Sequence, residues 1–189
     1  MNSVEEKLID FITGQKVVDT TDERVRQVIE RFLIKEKGYL KDDIEIDRGF
    51  DIVIDEKINR AKVDLVISVD AVRNLFLNGV EGKRFMLIKC SRGSLSSWER
   101  EVLSCARIFD IYTIPFAVIT DGKDAEILDS VTGKVIGHGL GEIPSRHDAV
   151  EAIKRIEFKG LSEDKREKEK RVFLAFESIK SEECGFHTL

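Results

Sequence analysis

Two apolar runs in the middle of the chain most constrain its fold. The run from Phe85 to Cys90 is almost wholly apolar over the length of one strand, which is typical of an interior strand covered on both faces. A second run, Val63 to Val69, also has strand length and is interrupted by Asp64. Interior strands of this kind need helices on both sides of the sheet, so the pattern predicts an α/β domain.

Helical and strand patterns surround these two runs. Thr20 to Glu23 indicates the start of a helix whose apolar residues recur at helical spacing as far as Leu33. A second helix is predicted from about Ser96 to Asp110, with Trp98, Val102 and Cys105 on one apolar stripe. The other predicted elements are a strand meander of Ile44 to Ile46, Phe50 to Ile54 and Val63 to Val69, a loop from Arg73 to Gly82, a strand from Pro115 to Thr120, and a closing hairpin of Glu126 to Asp129 and Lys134 to Ile136.

The chain divides into three predicted segments. Residues 1–18 are expected to form an N-terminal helix capped by Ser3, residues 19–144 the α/β core, and residues 145–189 a C-terminal helical extension. The extension changes from a charge-dense first half to an apolar stretch, Val172 to Phe176. That stretch either packs on the domain or forms a homodimer contact, because an exposed apolar helix end needs a partner.

Composition limits the functional classes. The chain has 189 residues, 35% of them charged, and a net charge of -5, which argues against tight nonspecific binding to nucleic acid but allows a local basic patch. Three cysteines without CxxC spacing fit reduced thiols, and no segment has the pattern of a signal peptide or a membrane span. We therefore expect a cytoplasmic protein. His138, His147 and His187 lack the spacing of a metal site.

Four short strings occur in an order and spacing that are similar to one known family. They are Thr21 to Gln27, Lys37 to Tyr39, Val63 to Val66 and Ile119 to Gly122. Through these strings, the chain resembles the N-terminal nuclease domain of type I restriction enzyme R subunits from about Asp19 to Gly137. The resemblance implies the restriction-endonuclease-like fold, an αβββαβ core with a mixed central sheet flanked by helices, and metal-assisted hydrolysis of DNA.

The resemblance also assigns residues to the nuclease pattern PD-(D/E)xK. In that pattern an Asp on one strand converges with an acid and a lysine, two residues apart, on the next strand. Asp64 matches the first metal-binding acid, and Glu30 matches a supporting acid from the first core helix, so both are candidate catalytic residues and ligands for Mg²⁺ or Mn²⁺. Lys89 and Ser91 occupy the positions of the second acid and the lysine. An ammonium group beside Asp64 favours a salt bridge in place of a metal ion.

Three functional hypotheses follow. The first is a domain with a degenerate site that binds DNA or protein, with phosphate contacts from Lys83, Arg84, Lys89, Arg92 and Arg100. The second is a divalent-metal-dependent nuclease in which Lys89 is a relocated catalytic lysine and Glu30, Glu99 or Glu101 supplies the missing acid. In the first hypothesis Glu99 and Glu101 are solvated helix residues and Glu30 pairs with Arg26 or Arg31. The third is a regulatory or structural homodimer formed through the C-terminal helix.

Overall fold

The computed structural model describes residues 6–70, 82–91 and 94–185, with side chains as far as residue 178. Within these ranges the chain forms helices α1 (Thr21–Lys35), α2 (Glu99–Ile108), α3 (Arg146–Ile153) and α4 (Glu163–Gly185). The strands are β1 (Lys7–Ile9), β2 (Lys16–Val18), β3 (Ile44–Ile54), β4 (Lys57–Val69), β5 (Lys83–Cys90), β6 (Phe116–Thr120), β7 (Ala125–Asp129) and β8 (Lys134–His138).

A six-stranded mixed sheet organises the molecule. Its order is β3-β4-β5-β6-β7-β8, with β5 and β6 parallel and every other neighbouring pair antiparallel. The helix α2 connects the two parallel strands, as a parallel pair requires. The succession α1, β3, β4, β5, α2, β6 is the αβββαβ order, so the predicted fold class is confirmed.

The two faces of the sheet carry two separate apolar cores. On one face, α1 contributes Ile29 and Leu33, which are fully buried in a cluster with Leu65 and Ile88. On the other face, the α2 cluster includes Val102, Ala106, Val66 and Leu87. Since successive strand residues point to opposite faces, the apolar run of β5 supplies both cores.

The start of α1 follows its sequence signal closely. The Thr20 hydroxyl accepts a hydrogen bond from the Glu23 N–H at 3.1 Å, which satisfies one of the free donors of the first turn. The apolar residues Val25, Ile29 and Leu33 then face the sheet. The predicted first core helix is therefore confirmed together with its cap.

The helix predicted within residues 1–18 is wrong for the described part of that segment. Strands β1 and β2 pair there as an antiparallel hairpin, separate from the main sheet. The Asp10 carboxylate accepts hydrogen bonds from the N–H groups of Ile12 and Thr13, and Gly14 has a φ of 72°. These local bonds and the left-handed glycine favour a turn over a helix.

The predicted three-strand meander is two longer strands. Ile44–Ile54 runs continuously, and β4 begins at Lys57, six residues before the predicted start at Val63. Asp47 keeps a φ of 45° inside β3, a conformation that Asp tolerates better than most residues. Most of the charged residues between the apolar runs thus lie on the strands of an extended hairpin, and Asp55 and Glu56 form its turn. Most of the predicted loop from Arg73 to Gly82 lies outside the described residues.

Three further predictions are confirmed. The strand at Pro115 to Thr120 is β6, the closing hairpin is β7 with β8, and the helix ending near Asp110 is α2.

The C-terminal segment is helical as expected, and α4 packs against α2 and β3. Phe173 of α4 is 2% exposed within the α2 core. The Glu169 carboxylate also binds two arginines of α2, Arg100 at 2.5 Å and Arg107 at 2.9 Å. Among the described helices, none combines the length and apolarity that crossing a membrane requires.

Truncation of Phe173 tests whether α4 is anchored to its own domain. We expect Phe173→Ala to lower the free energy of unfolding by about 3–5 kcal/mol, because it removes a buried ring and leaves a cavity. Ile111→Ala is the control, since Ile111 is 86% exposed and its truncation should change stability by less than about 0.5 kcal/mol. Urea titration measures both variants. Equal effects would contradict the packing of α4 on the α2 core.

Candidate functional site

Asp64 lies where β4 passes from the protruding hairpin into the sheet. Toward its start β4 pairs with β3 alone, and from Leu65 onward it also pairs with β5. The Asp64 Oδ2 atom accepts a hydrogen bond of 2.7 Å from the backbone N–H of Cys90, at the end of β5. Burial raises the pKa of Asp64, and the Lys89 ammonium and the Cys90 N–H oppose that rise.

Lys89 is held by two side chains of the segment that follows β5. Its Nζ lies 2.9 Å from Glu101 Oε1 and 4.9 Å from the centre of the Trp98 ring. Only 17% of the Lys89 side chain and 4% of the Glu101 side chain are exposed. The result is an ion pair, largely removed from water, with an aromatic ring against the ammonium.

Asp64, Lys89 and Glu101 share one small cavity of about 30 Å³. The sequence therefore predicted correctly that Asp64 and Lys89 lie together, but the expected salt bridge between them is wrong. Within the described residues, the ion pair of Lys89 is made with Glu101. The other residues that line the cavity are Lys62, Val63, Leu87, Val102, Cys105 and Phe173.

The prediction that Glu101 is a solvated helix residue is also wrong, since only 3% of it is exposed. Its position carried a usable signal. Glu101 lies three residues after Trp98 and four before Cys105, so it belongs to the same side of the helix as that apolar stripe. A carboxylate on an apolar stripe needs a cationic partner, and Lys89 is the one that the fold provides.

Glu30 lies on α1, which packs on the other face of the sheet, and it is not among the residues that line the Asp64 cavity. It is fully buried, and its Oε1 lies 3.3 Å from Arg26, so the predicted pairing of Glu30 with Arg26 is confirmed. Burial and the nearby Asp10 carboxylate raise the pKa of Glu30 to about 7. Among the described residues, the cavity that contains Asp64 is therefore lined without Glu30, the other member of the predicted metal pair.

Arg26 is the centre of a buried charge cluster, of which the sequence predicted the pair with Glu30 but not the contact with Asp10. Its guanidinium lies 2.5 Å from Glu23, 3.1 Å from Asp10 and 3.3 Å from Glu30, and its side chain is 3% exposed. Gln27 completes the cluster by donating to Asp10 and Glu23. Asp10 belongs to the turn between β1 and β2, so the cluster attaches that hairpin to α1.

The predicted nucleic-acid contacts do not form one surface. Arg84 lies near the start of β5, five residues and about 16 Å along the strand from Lys89. It is paired with Asp110 at 2.8 Å, and the ammonium of the adjacent Lys83 lies over the ring of Tyr112. Arg100 is paired with Glu169 of α4. Arg92 lies outside the described residues. Each described arginine of this set is thus neutralised by a carboxylate.

Glu99 lies on the first turn of α2 beside Glu126 of β7 and away from Lys89. Burial and the Glu99 carboxylate raise the pKa of Glu126. In the part of the chain that the structure describes, no group of three or more His, Cys, Asp or Glu side chains is arranged to hold a metal ion.

The αβββαβ order, with a half-buried Asp where the second core strand enters the sheet, defines an α/β domain of the restriction-endonuclease-like class. Residues 21–144 match the family model described as type I restriction enzyme R protein N terminus, and the chain belongs to this family. The match begins at the first residue of α1 and ends at Pro144, just before α3. No curated protein and no solved structure gives a match to the chain.

Substitution of Glu30 tests the charge cluster through the pH dependence of stability. The pKa of Glu30 is raised from 4.5 to about 7, so the folded protein keeps the proton to higher pH than the unfolded chain does. The stability due to the protonated form is fully present below pH 4.5 and is lost as the pH rises to about 7. This shift corresponds to about 3 kcal/mol as an upper limit.

Gln mimics the protonated acid at every pH. Glu30→Gln should therefore have nearly wild-type stability at pH 5 and exceed it by up to about 3 kcal/mol at pH 8, measured by urea unfolding at both values. Glu36→Gln, an exposed change next to the end of the same helix, should have little effect at either pH. A gain from Glu30→Gln that is the same at pH 5 and pH 8 would contradict the raised pKa.

Proposed function

We propose that this domain binds DNA without cleaving it, as a catalytically degenerate member of the family of restriction R-subunit N-terminal domains. The observation that carries the proposal is the buried Lys89–Glu101 ion pair in the cavity of Asp64. A cation supplied by the chain itself lies where the nuclease pattern would bring an acid to a metal ion.

The residues of the cavity do not fit a divalent cation. Mg²⁺ and related ions require several free oxygen ligands. One oxygen of Asp64 accepts the Cys90 N–H, and one oxygen of Glu101 is bound to the Lys89 ammonium. The ammonium would also repel a second cation at this distance. Both carboxylates are thus partly engaged inside the protein, and the Lys89 charge offsets one of their two negative charges, which makes the site poorly suited to metal-assisted hydrolysis.

Ser91 strengthens this interpretation. It occupies the position of the lysine in the nuclease pattern, and its hydroxyl carries no charge at neutral pH. A neutral hydroxyl can donate a hydrogen bond to a phosphate under attack, but it does not supply the positive charge that the lysine of the pattern brings.

One observation favours the alternative of an active nuclease. Asp64, Glu101 and Lys89 together provide two acids and a lysine in one cavity, with the second acid on a helix. In this second candidate, Lys89 is the relocated lysine and Glu101 the missing acid. It requires the Lys89–Glu101 pair to open, and divalent cations would then bind in a way that depends on Asp64.

Calorimetric titration with Mn²⁺ separates the two candidates. The degenerate site predicts no binding tighter than about 1 mM in wild type and no change in Asp64→Ala, because the Lys89 ammonium and the Cys90 N–H already engage the two carboxylates. Binding by wild type that disappears in Asp64→Ala would contradict the proposal and support the nuclease.

A charge reversal of Lys89 tests the role of the ammonium directly. Lys89→Glu removes the internal cation and places a third carboxylate near Asp64 and Glu101, so we expect Mn²⁺ binding to appear, at about 10–100 μM if the site resembles ordinary carboxylate sites. Lys134→Glu is the matched control, since it makes the same charge change at an exposed position of β8. Equal binding by the two variants would mean that Lys89 does not exclude the metal.

A homodimer through α4 stays a prediction. Within the apolar stretch Val172 to Phe176 that suggested such a contact, Phe173 is buried in its own domain, which weakens the reason for expecting it.

A further inference from the structure

Cations without a carboxylate partner collect on the outer side of α1 and in the turn that follows it. This cationic face consists of Arg31, Lys35, Lys37 and Lys41. Arg31, Lys35 and Lys41 are exposed and Lys37 is half-buried. The contacts of these four residues within the described chain include no ion pair with a carboxylate.

The contacts of the cationic face fix the side chains without cancelling their charge. Arg31 donates to the backbone carbonyl of Gln27 at 3.1 Å, and Lys41 donates to the carbonyls of Phe11 and Ile12. The Arg31 guanidinium lies 5.3 Å and the Lys41 ammonium 5.0 Å from the centre of the Phe11 ring. Two uncompensated positive charges therefore lie against one aromatic ring.

Lys37, in the turn after α1, is held by a different ring and a different carbonyl. It donates to the carbonyl of Gly141 at 2.6 Å and lies 5.6 Å from the centre of the Phe32 ring. A guanidinium has five N–H donors and an ammonium three, so donors remain on Arg31, Lys37 and Lys41 after these internal bonds. They are available to acceptors outside the chain.

Several cations elsewhere in the described chain are neutralised. The net charge is -5, and Arg84, Lys89 and Arg100 are each paired with a carboxylate, while Lys83 lies over the rings of Tyr112 and Phe158. On the cationic face, Asp43 is already bound by Arg146 at 2.6 Å, while Glu36 and Asp42 remain exposed. These two acids moderate the field of the face, so its interactions should be of moderate strength and sensitive to salt.

We infer that the cationic face binds the phosphate backbone of duplex DNA. This inference rests on the proposed function, because DNA is the partner proposed for the domain, and it places the contact on α1, whereas the Lys89–Glu101 cavity faces α2. Arg and Lys side chains held in place by the protein are the usual phosphate contacts, which position a duplex without reading its sequence. Two or three such contacts make binding weak and steeply dependent on salt.

Charge reversal on the face, compared with an equal reversal elsewhere, tests the inference. The test variant is Arg31→Glu/Lys41→Glu, and the control is Arg60→Glu/Lys134→Glu. The control changes the net charge equally, at an Arg side chain that is 89% exposed on β4 and at an exposed Lys on β8. Fluorescence anisotropy of a labelled 30-base-pair duplex measures affinity between about 50 and 200 mM salt.

We expect the test variant to bind at least about tenfold more weakly than wild type at low salt and to lose about two units of the slope of log affinity against log salt. The control should change affinity by less than about threefold, because its residues lie away from the face. Arg31→Gln/Lys41→Gln, which removes charge without adding any, should give an intermediate loss. Circular dichroism checks that each variant is folded, and this milder variant decides the question if the reversal unfolds the β1–β2 hairpin.

The possible failures are distinguishable. Binding by wild type that is lowered equally by the test and control variants would overturn the cationic face and leave the proposed DNA binding intact. Absence of binding by folded wild type would overturn the proposed DNA binding and, with it, this inference. Unlabelled polyglutamate and unlabelled duplex DNA of equal charge can each be added as competitors of the labelled duplex. If polyglutamate displaces the labelled duplex as strongly as unlabelled DNA does, the cationic face binds acidic protein, and the DNA contact is overturned.

Discussion

Burial of the central sheet on both faces is the constraint on which the rest of this structure depends. Strands β4, β5 and β6 lie between two apolar cores, and a charge that enters such a layer needs a partner inside the protein. Asp64 accepts a hydrogen bond from the Cys90 N–H, and Lys89 forms an ion pair with Glu101. Arg26 forms ion pairs with the acids of its cluster. The pairing of charges is thus set by burial as much as by chemistry.

Much of the fold could be predicted because its signals are local. The cap at Thr20, the apolar run of β5 and the stripe of α2 each specify an element within about a dozen residues. The β1–β2 hairpin was missed because its apolar residues also fit a helix, and the decision rests on the side-chain bonds of Asp10. Asp47 likewise continues a strand through a charged stretch that suggests a turn.

The site was harder to predict because its partners lie far apart in sequence or on different elements. The approach of Asp64 and Lys89 follows from strand pairing, which pattern and resemblance together indicate. That Lys89 turns to Glu101 depends on how α2 packs on the sheet, and no local pattern contains that information. Closeness in sequence also grouped Arg84 with Lys89, although the two residues lie near opposite ends of β5.

The hydrogen bond from the Cys90 amide to Asp64 makes the backbone of β5 sensitive to the charge state of the cavity. A bond to a carboxylate is shorter and stronger than one to a neutral carboxyl group. The amide resonance of Cys90 in a nitrogen–proton correlation spectrum should therefore move when Asp64 gains a proton or when a charge enters the cavity beside it. One backbone nucleus would report on the electrostatic state of the site, without a bound ligand or any turnover.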